Sequence, residues 1–433
     1  MELLDVLILA FSFATLLFLG VPIAYCIGLA TIATMFLSIG AVPALTTEAQ
    51  RIATGLDSFA LLAIPFFILA GQIMNRGGIA RRLIDLAKAL LGMLPGGLAH
   101  VNILASMLFG AISGSAVAAA SAVGGVMAPQ MEREGYDRDY GAAVNITSAT
   151  TGLLIPPSNI LIVYSLASGG VSIAALFLAG YLPGMLVGAM LMGVAGYLAV
   201  RRGYARSGAA ISPALIFRRF IDAVPSLTLL VVVIVGIVAG FFTATEAAAV
   251  AVLYALILAL VYREITPADL PRIFLDASAT TAVVLLLVGT SVGLSWILAY
   301  VNIPQSVTAS LIALTDNGIV IMLIINVILL TVGTFMDMTP AVLIFTPIFL
   351  PIAIELGIDP THFGIIMVLN LCIGLCTPPV GSVLFVGVGV AGSSIATVVR
   401  PLLPLFVAMI LALVIVTYIP ELSLLLPDLF LNR

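Results

Sequence analysis

Polar side chains that could bind a cation occur in two places in an otherwise apolar chain. Ser113 and Ser115 mark the first place, and Thr334, Asp337 and Thr339 mark the second. Hydroxyl, carboxylate and backbone carbonyl oxygens are hard ligands, which suit a cation such as sodium. The two places are therefore candidate cation sites.

Asp337 is the strongest single indication of such a site. No Lys or Arg lies between Arg272 and Arg400, so this acid has no basic partner nearby in sequence and would be costly to ionise alone in a membrane. We expect that the carboxyl is protonated, or that a bound cation or a partner from elsewhere in the fold offsets its charge. The alternative is structural, a hydrogen-bonded acid that caps a helix.

A doubled proline lies near each place. Pro156-Pro157 interrupts the apolar segment 141–168, and Pro378-Pro379 interrupts 361–388. Proline removes a backbone donor and clashes with the preceding helical turn, and lipid cannot satisfy the carbonyls that such a break frees. We therefore predict two broken helices whose carbonyls face protein, water or a cation. Proline kinks that serve only packing are the alternative.

Cysteine and histidine offer little for other chemistry. Cys372 and Cys376 have the i, i+4 spacing of two metal ligands on a helix, but no His or acidic residue accompanies them. The two histidines, His100 and His362, are far apart in sequence. No metal centre or Ser-His-Asp triad is indicated, so we expect neither an enzyme nor an organic cofactor.

The composition indicates whether the chain is surrounded by water or by lipid. Of 433 residues, 62% are hydrophobic and only 8% are charged, whereas a soluble domain is about half apolar and about a quarter charged. This is the composition of a polytopic membrane protein, and a net charge of −4 does not favour nucleic acid as a partner. Ten apolar segments are about long enough to cross a lipid bilayer: 3–20, 22–38, 59–75, 141–168, 173–200, 223–240, 244–262, 277–298, 361–388 and 401–420.

Two further apolar segments, about 98–131 and 320–353, are interrupted at their centres by "GAISGSAV" and "VGTFMDMTP". Each half of these segments is too short to cross a bilayer alone. We predict two re-entrant hairpins, each with a polar tip buried in protein.

The basic residues orient the chain. Most of them fall in loops that the positive-inside rule places in the cytoplasm: Arg76, Arg81, Arg82, Lys88, Arg133, Arg138, Arg201, Arg202, Arg206, Arg218, Arg219, Arg263, Arg272 and Arg400. This orientation places both termini outside the cytoplasm. It also makes the two hairpins enter the membrane from opposite faces.

An internal repeat supports that arrangement. Shifting the sequence by 222 residues aligns 109–157 with 331–379 without a gap and pairs Pro156 with Pro378 and Gly152 with Gly374. Proline and glycine fix backbone geometry, so their coincidence weighs more than shared apolar residues. Five spans and one hairpin per half require an inverted second copy, a plan found in many secondary transporters. The halves would be 1–210 and 211–433.

Glu246 is an acid inside an apolar stretch. It lies three residues after Thr243, which is the spacing of a capping box at a helix start. We expect this structural role.

Several motifs together resemble one family. "ISGSAVAAASAVGGVMAPQMEREGYDRDYGAAV", "TGLLIPPSN", "GFFTATEAAAVAV", "GTFMDMTPAVLIFTPIFLPIA" and "FGIIMVLNLCIGLCTPPVGSVLFV" are similar to the large membrane subunit of the tripartite ATP-independent periplasmic (TRAP) transporters. The resemblance covers essentially the whole chain. It implies an all-α elevator-type fold of the ion transporter superfamily in a bacterial inner membrane, two or more bound Na⁺ ions and a sodium gradient as the driving force. It also implies a small four-span membrane subunit and a periplasmic binding protein that delivers an organic acid.

The resemblance also implies site residues. The first sodium site would comprise the first hairpin tip and the first break: Ser113, Ser115, Gly152, Ile155 and Pro157. The second would comprise Gly333, Met336, Asp337, Thr377 and Pro379. Phe335 and Asp337 occupy the positions paired with the two serines, so the ligand sets are expected to be unequal. The carboxylate substrate would lie between the tips, where no Arg is present, with these candidate contacts: Ser115, Asn159, Asp337 and Thr377.

A self-sufficient sodium-coupled carboxylate carrier of a related fold is the main alternative, because it would share the repeat and the breaks. An intramembrane enzyme would need a nucleophile with a base, or a metal cluster. A channel is disfavoured because two buried tips that meet at the midplane form an occluding site.

Overall fold

A computed structural model describes residues 2–204, 213–315, 317–378 and 380–431. These residues form twenty α-helices and a short 3-10 turn, Phe59–Leu62, and contain no strand. In the first half the helices are α1 Glu2–Phe18, α2 Ile23–Ile39, α3 Ala41–Leu56, α4 Ala63–Arg76, α5 Ile79–Leu91, α6 Gly97–Ser113, α7 Ala116–Arg133, α8 Arg138–Thr151, α9 Asn159–Ala167 and α10 Ile173–Arg201. In the second half they are α11 Pro213–Val238, α12 Ala244–Val261, α13 Leu270–Tyr300, α14 Ile303–Leu314, α15 Gly318–Phe335, α16 Met338–Glu355, α17 Pro360–Gly374, α18 Ser382–Ala391, α19 Ile395–Tyr418 and α20 Glu421–Leu431.

The apolar segments of the sequence are these helices. Among the described residues, eight helices are long and apolar enough to cross a membrane, and five shorter helices are also apolar. Each of the ten predicted segments is helical, because lipid forces backbone groups to hydrogen-bond within the segment. The prediction of an all-α polytopic membrane protein is confirmed.

The two interrupted segments are pairs of helices joined by a short turn, as predicted, but α15 and α16 are each long and apolar enough to cross a membrane. The prediction that each half is too short to cross is therefore wrong for the second pair, and re-entry of either pair from one face stays a prediction. Helices α6 and α7 meet at Gly114, whose positive φ of 62° ends α6. Helices α15 and α16 meet at Met336 and Asp337, which have extended backbones. We call these turns tip 1 (Ser113–Ser115) and tip 2 (Met336–Asp337).

The doubled prolines break two helices, also as predicted. Helix α8 ends at Thr151 and α9 begins at Asn159, with Pro156 and Pro157 between them. Helix α17 ends at Gly374 and α18 begins at Ser382. Pro379, which belongs to the second predicted break, lies outside the described residues, as do Arg206 and Arg433.

The two halves exchange contacts reciprocally. Helix α2 packs on α13 while α12 packs on α4, and α7 packs on α18 while α16 packs on α9. Such exchange is expected when a two-fold axis relates two similar units, since each contact surface then meets its counterpart. The inversion of the second half relative to a membrane stays a prediction, and the proposed boundary between the halves falls in 205–212, outside the described residues.

Helices α8 and α17 touch at equivalent positions of the repeat. The Cys372 thiol donates to the Thr150 carbonyl at 3.4 Å, across 222 residues of sequence. This separation equals the shift that aligns the two halves. Cys372 and Cys376 are both fully buried, which agrees with their interpretation as small core residues.

The capping box before α12 is present. The Thr243 backbone N–H donates to the Glu246 carboxylate at 2.8 Å, and the Thr243 side chain accepts from the Glu246 N–H. Thr243 is thus the N-cap of α12.

The sequence did not predict helix α3. Its buried residues are Ala44 and Glu48, so the segment lacks the apolar pattern of a buried helix. Glu48 lies on the face that packs against α13 and is only 2% exposed. A Cβ built at Gly293 of α13 would lie 2.0 Å from Glu48 Oε2, so the carboxyl occupies space that only glycine leaves open. Neither carboxyl oxygen has a hydrogen-bond partner among the described residues.

Candidate functional site

Both tips and both helix breaks surround one cavity of about 260 Å³. Tip 1 contributes Ser113 and Ser115, and tip 2 contributes Asp337. The remaining side is formed by α4 and by Thr280 of α13. The fold therefore brings together residues that are more than 200 positions apart.

Tip 1 is closed by local hydrogen bonds. The Ser115 hydroxyl accepts from the Ala118 N–H at 3.2 Å and so caps α7. The Ser113 hydroxyl lies 3.4 Å from the Ser115 carbonyl. Asn159, the first residue of α9, packs its amide on Gly114, where a Cβ would lie 2.9 Å from Nδ2. The hydroxyls of the tip are thus held at the cavity surface.

Tip 2 presents an acid instead. Asp337 occupies the N-cap position of α16 without a side-chain capping bond, and its Oδ1 accepts from the Ser382 hydroxyl at 3.5 Å. Its side chain is exposed and lines the cavity. Met336 of the same tip faces a separate, wholly apolar cavity of about 270 Å³ between α1, α2, α13 and α16.

Paired glycines join each hairpin to its broken helix. A Cβ at Gly152 would lie 2.3 Å from the Gly110 Cα, and a Cβ at Gly374 would lie 2.6 Å from the Gly333 Cα. Real Cβ atoms do not approach backbone so closely, so glycine is required at these contacts. Each hairpin is thereby locked against the helix end that precedes the break.

Four helix N-termini converge on the cavity. The first residues of α7, α9, α16 and α18, namely Ala116, Asn159, Met338 and Ser382, all line it. A helix N-terminus carries a partial positive charge and unpaired N–H groups. Among the described lining residues there is no Lys, Arg or His, and Asp337 is the one acid. The arrangement can hold an anion through helix ends and a cation through oxygen ligands.

A family model described as the tripartite ATP-independent periplasmic transporter, DctM component, matches residues 10–422. The chain belongs to this family. It is therefore a transporter permease rather than an enzyme.

Relatives of this DctM-family chain align over nearly its full length. YgiK of Salmonella typhimurium, an uncharacterized protein, is 55% identical, with 98% of each chain covered. The sialic acid TRAP transporter large permease SiaM of Vibrio cholerae is 40% identical, also with 98% of each covered. The C4-dicarboxylate TRAP transporter large permease DctM of Rhodobacter capsulatus is 38% identical, with 96% of this chain and 97% of the relative covered.

A solved structure shares the fold. The YdaH transporter of Alcanivorax borkumensis superimposes with a TM-score of 0.66 over 88% of this chain and 89% of its own, at 15% identity. This likeness supports the transporter fold alone.

The DctM-family structure places the predicted site residues in two groups. Ser113, Ser115, Asn159 and Asp337 line the central cavity. The other described site residues do not line it. Gly152 and Gly333 make the glycine contacts, Met336 faces the apolar cavity, and the Thr377 hydroxyl donates to the Ile373 carbonyl at 2.8 Å. Ile155 and Pro157 lie in the first break. The assignment of these residues to sodium sites stays a prediction.

Sequence reasoning missed the residues that line the cavity from α4 and α13. These are Gln72, Asn75 and Thr280, together with Ser382 at the start of α18. Gln72 was detectable as a polar residue inside the apolar segment 59–75. Nothing in the sequence indicated that α4 would face tip 1.

Proposed function

We propose that this DctM-family chain is the large membrane subunit of a sodium-coupled importer of a small organic acid anion. The acid is delivered by a periplasmic binding protein and crosses the bacterial inner membrane by an elevator mechanism. A small four-span membrane subunit completes the proposed assembly, whose tripartite composition the family description states.

The convergence of four helix N-termini on a cavity without basic side chains carries the proposal. Broken-helix transporters bind anionic groups with half-helix N-termini and bind sodium with freed carbonyls. Here the N-termini of α7, α9, α16 and α18 supply the positive ends. A carboxylate can therefore be held without the arginine that a soluble binding protein would use.

Oxygen ligands around the tips supply the cation side. We assign one sodium ion to tip 1 with the backbone of the first break, through Ser113, Ser115, Gly152, Ile155 and Pro157. A second is assigned to tip 2 with the second break, through Gly333, Met336, Asp337, Thr377 and Pro379. Asp337 supplies a full negative charge to the second site, whereas the first site is neutral.

The size of the cavity favours a small substrate. At about 260 Å³ it is smaller than the roughly 300–1,000 Å³ of sites for drug-sized ligands. Relatives are named for C4-dicarboxylates and for sialic acid. The proposed cargo is therefore a small organic acid, and Ser115, Asn159 and Asp337, which line the cavity, are its proposed contacts. Thr377, the fourth contact expected from the sequence, does not line the cavity.

Basic loops give the proposed orientation. Arg76 follows the last cavity residue of α4, Asn75, and positive residues collect on the cytoplasmic side. The cavity, which α4 lines along its length from Ile64 to Asn75, thus reaches the cytoplasmic end of α4, and both chain termini lie in the periplasm.

Vesicle uptake tests the proposal. The purified chain is reconstituted with its small membrane subunit, and uptake of radiolabelled succinate and N-acetylneuraminate is measured with the binding protein outside. Uptake is expected only with the binding protein and an inward sodium gradient, and not when potassium replaces sodium. Uptake by the chain without any binding protein would favour the self-sufficient carrier.

A further inference from the structure

Gly71 of α4 touches the backbone of tip 1. A Cβ built at Gly71 would lie 2.7 Å from the Ser113 carbonyl oxygen and 3.5 Å from the Ser113 Cα. Both atoms belong to the main chain, so a change of side-chain rotamer at the tip cannot relieve the overlap. This position therefore accepts only glycine while the tip lies where it does.

The local fold of α4 does not explain this glycine. Gly71 lies inside the helix and is not among the glycines with positive φ. Glycine in a helix interior is less favourable than alanine by about 1 kcal/mol. The contact with Ser113 is the physical reason for glycine here.

Helix α4 and tip 1 belong to different parts of the molecule. Helix α4 packs mainly on α12 and α13, whereas tip 1 is locked to α8 through Gly110 and Gly152. The same face of α4 continues from Gly71 to Gln72 and Asn75, which line the cavity. We call α4, α12 and α13 the frame, and we call α6, α7 and α8 the hairpin unit. The contact at Gly71 thus joins the frame to the hairpin unit.

We propose that Gly71 is a positioning residue of the transport cycle. Tip 1 packs directly on Gly71 in the observed state, which we call the seated state, and Gly71 is the seat of the tip. The inference depends on the proposed function, because an elevator must make and break contacts between the hairpin unit and the frame. A side chain at position 71 raises the energy of the seated state and leaves unseated states unchanged. The population then shifts away from the seated state, and the cycle slows at that step.

Matched glycine substitutions test the seat. Gly125 lies in α7 of the same hairpin, and a Cβ there meets nothing within 4 Å. Uptake of succinate or N-acetylneuraminate should fall in the series Gly71→Ala, Gly71→Val, reaching about tenfold or more for valine. Gly125→Ala and Gly125→Val should stay within about twofold, since they meet open space. Equal uptake by the Gly71 and Gly125 variants would overturn the proposal.

Cysteine labelling separates a displaced tip from a misfolded protein. Gln72→Cys is introduced into each variant, and its reaction rate with a maleimide is measured in the full reconstituted assembly; Cys26, Cys372 and Cys376 are buried. Because an unseated tip uncovers this face of α4, labelling should rise severalfold with Gly71→Val but not with Gly125→Val. The thermal unfolding midpoint is recorded for each variant, and Gly71→Ala provides the milder substitution if valine prevents folding.

The labelling result also separates this inference from the proposed function. If the wild-type assembly takes up neither acid, the proposed function fails, while the labelling difference still tests the seat. If uptake is normal but the thiol introduced by Gln72→Cys reacts equally in the Gly71 and Gly125 variants, the seat is refuted and the proposed function stands.

Discussion

The two hairpin tips share one architecture but differ in how they are held. At tip 1 the residue Ser113 is only 5% exposed, and its backbone lies against Gly71. At tip 2 Asp337 is exposed, and Met336 faces an apolar cavity of about 270 Å³. The first tip packs against the backbone of α4 and borders one cavity, whereas the second borders two cavities.

This difference shows that a repeat can keep its backbone contacts while its chemistry diverges. Both hairpins use a glycine pair against the broken helix, Gly110 with Gly152 and Gly333 with Gly374. Yet one tip supplies neutral hydroxyls and the other supplies a carboxylate. The glycine pairs fix the position of each tip. The tip residues decide whether a cation bound there would meet neutral hydroxyls or a carboxylate.

Substitution of the paired glycines should have the largest effect. Gly152→Ala and Gly374→Ala each force a Cβ into backbone at 2.6 Å or closer, so each should lower the free energy of unfolding by about 3 kcal/mol. Gly193→Ala, where a Cβ meets nothing within 4 Å, should be neutral. Thermal unfolding midpoints of the purified variants measure this. A large effect in one half only would show that the two locks are not equivalent.

Asp337→Asn should weaken sodium binding at tip 2. The change keeps the size and one carbonyl oxygen but removes the charge, and loss of a charged contact is worth about 1.5–3 kcal/mol, or roughly ten- to a hundredfold in affinity. The measurement is uptake against external sodium, with expression checked. An unchanged sodium dependence would indicate that Asp337 serves only as a structural acid.

Ser115→Ala should have a smaller effect at tip 1. A neutral oxygen contributes about 0.5–1.5 kcal/mol, so the sodium concentration for half-maximal uptake should rise only severalfold. Ser115→Thr keeps the hydroxyl and should restore most of the affinity. If alanine were as harmful as Asp337→Asn, the inferred charge difference between the tips would be wrong.

The smallest effect on uptake is expected at Glu48 of α3. This helix has no separate counterpart in the second half, where 262–269 directly joins α12 to α13. Burial raises the pKa of the Glu48 carboxyl from 4.5 to about 7. A raised pKa means that the folded state binds the proton more tightly, so stability falls as pH rises from about 4.5 to about 7. Arg51 on the same helix lies over Trp296, and no ion pair with Glu48 is seen among the described residues.

Glu48→Gln cannot titrate, so it should flatten this part of the stability curve. Unfolding midpoints at pH 5 to pH 8 compare the variant with the wild type. Parallel curves would mean that the pKa of Glu48 is the same in the folded and the unfolded state.

Much of the fold was predictable because lipid leaves few choices. Apolar segments become helices, and Pro156-Pro157 breaks one of them near the middle. The capping box of Thr243 and Glu246 was predictable because it depends on residues three positions apart. Helix α3 was missed, since Glu48 is an acid at a position where its buried stripe would normally carry an apolar residue.

The site was predictable only for residues that carry a local signal. Asp337, Ser113 and Ser115 stand out as polar residues between apolar helices, and all three line the cavity. Gln72 and Gly71 acquire their roles from a contact across the fold, so no local pattern marks them. Gly152 and Gly333 were associated with sodium through the family resemblance, yet the structure gives both a packing role.

The contact between Thr150 and Cys372 has a consequence for the history of the chain. If a half-length ancestor once paired with a second copy of itself, the residue at this position faced its own copy, and any mutation there changed both sides at once. Fusion of the two halves removed that restriction. A threonine at one position and a cysteine at the other are what independent drift of a formerly self-facing position would produce.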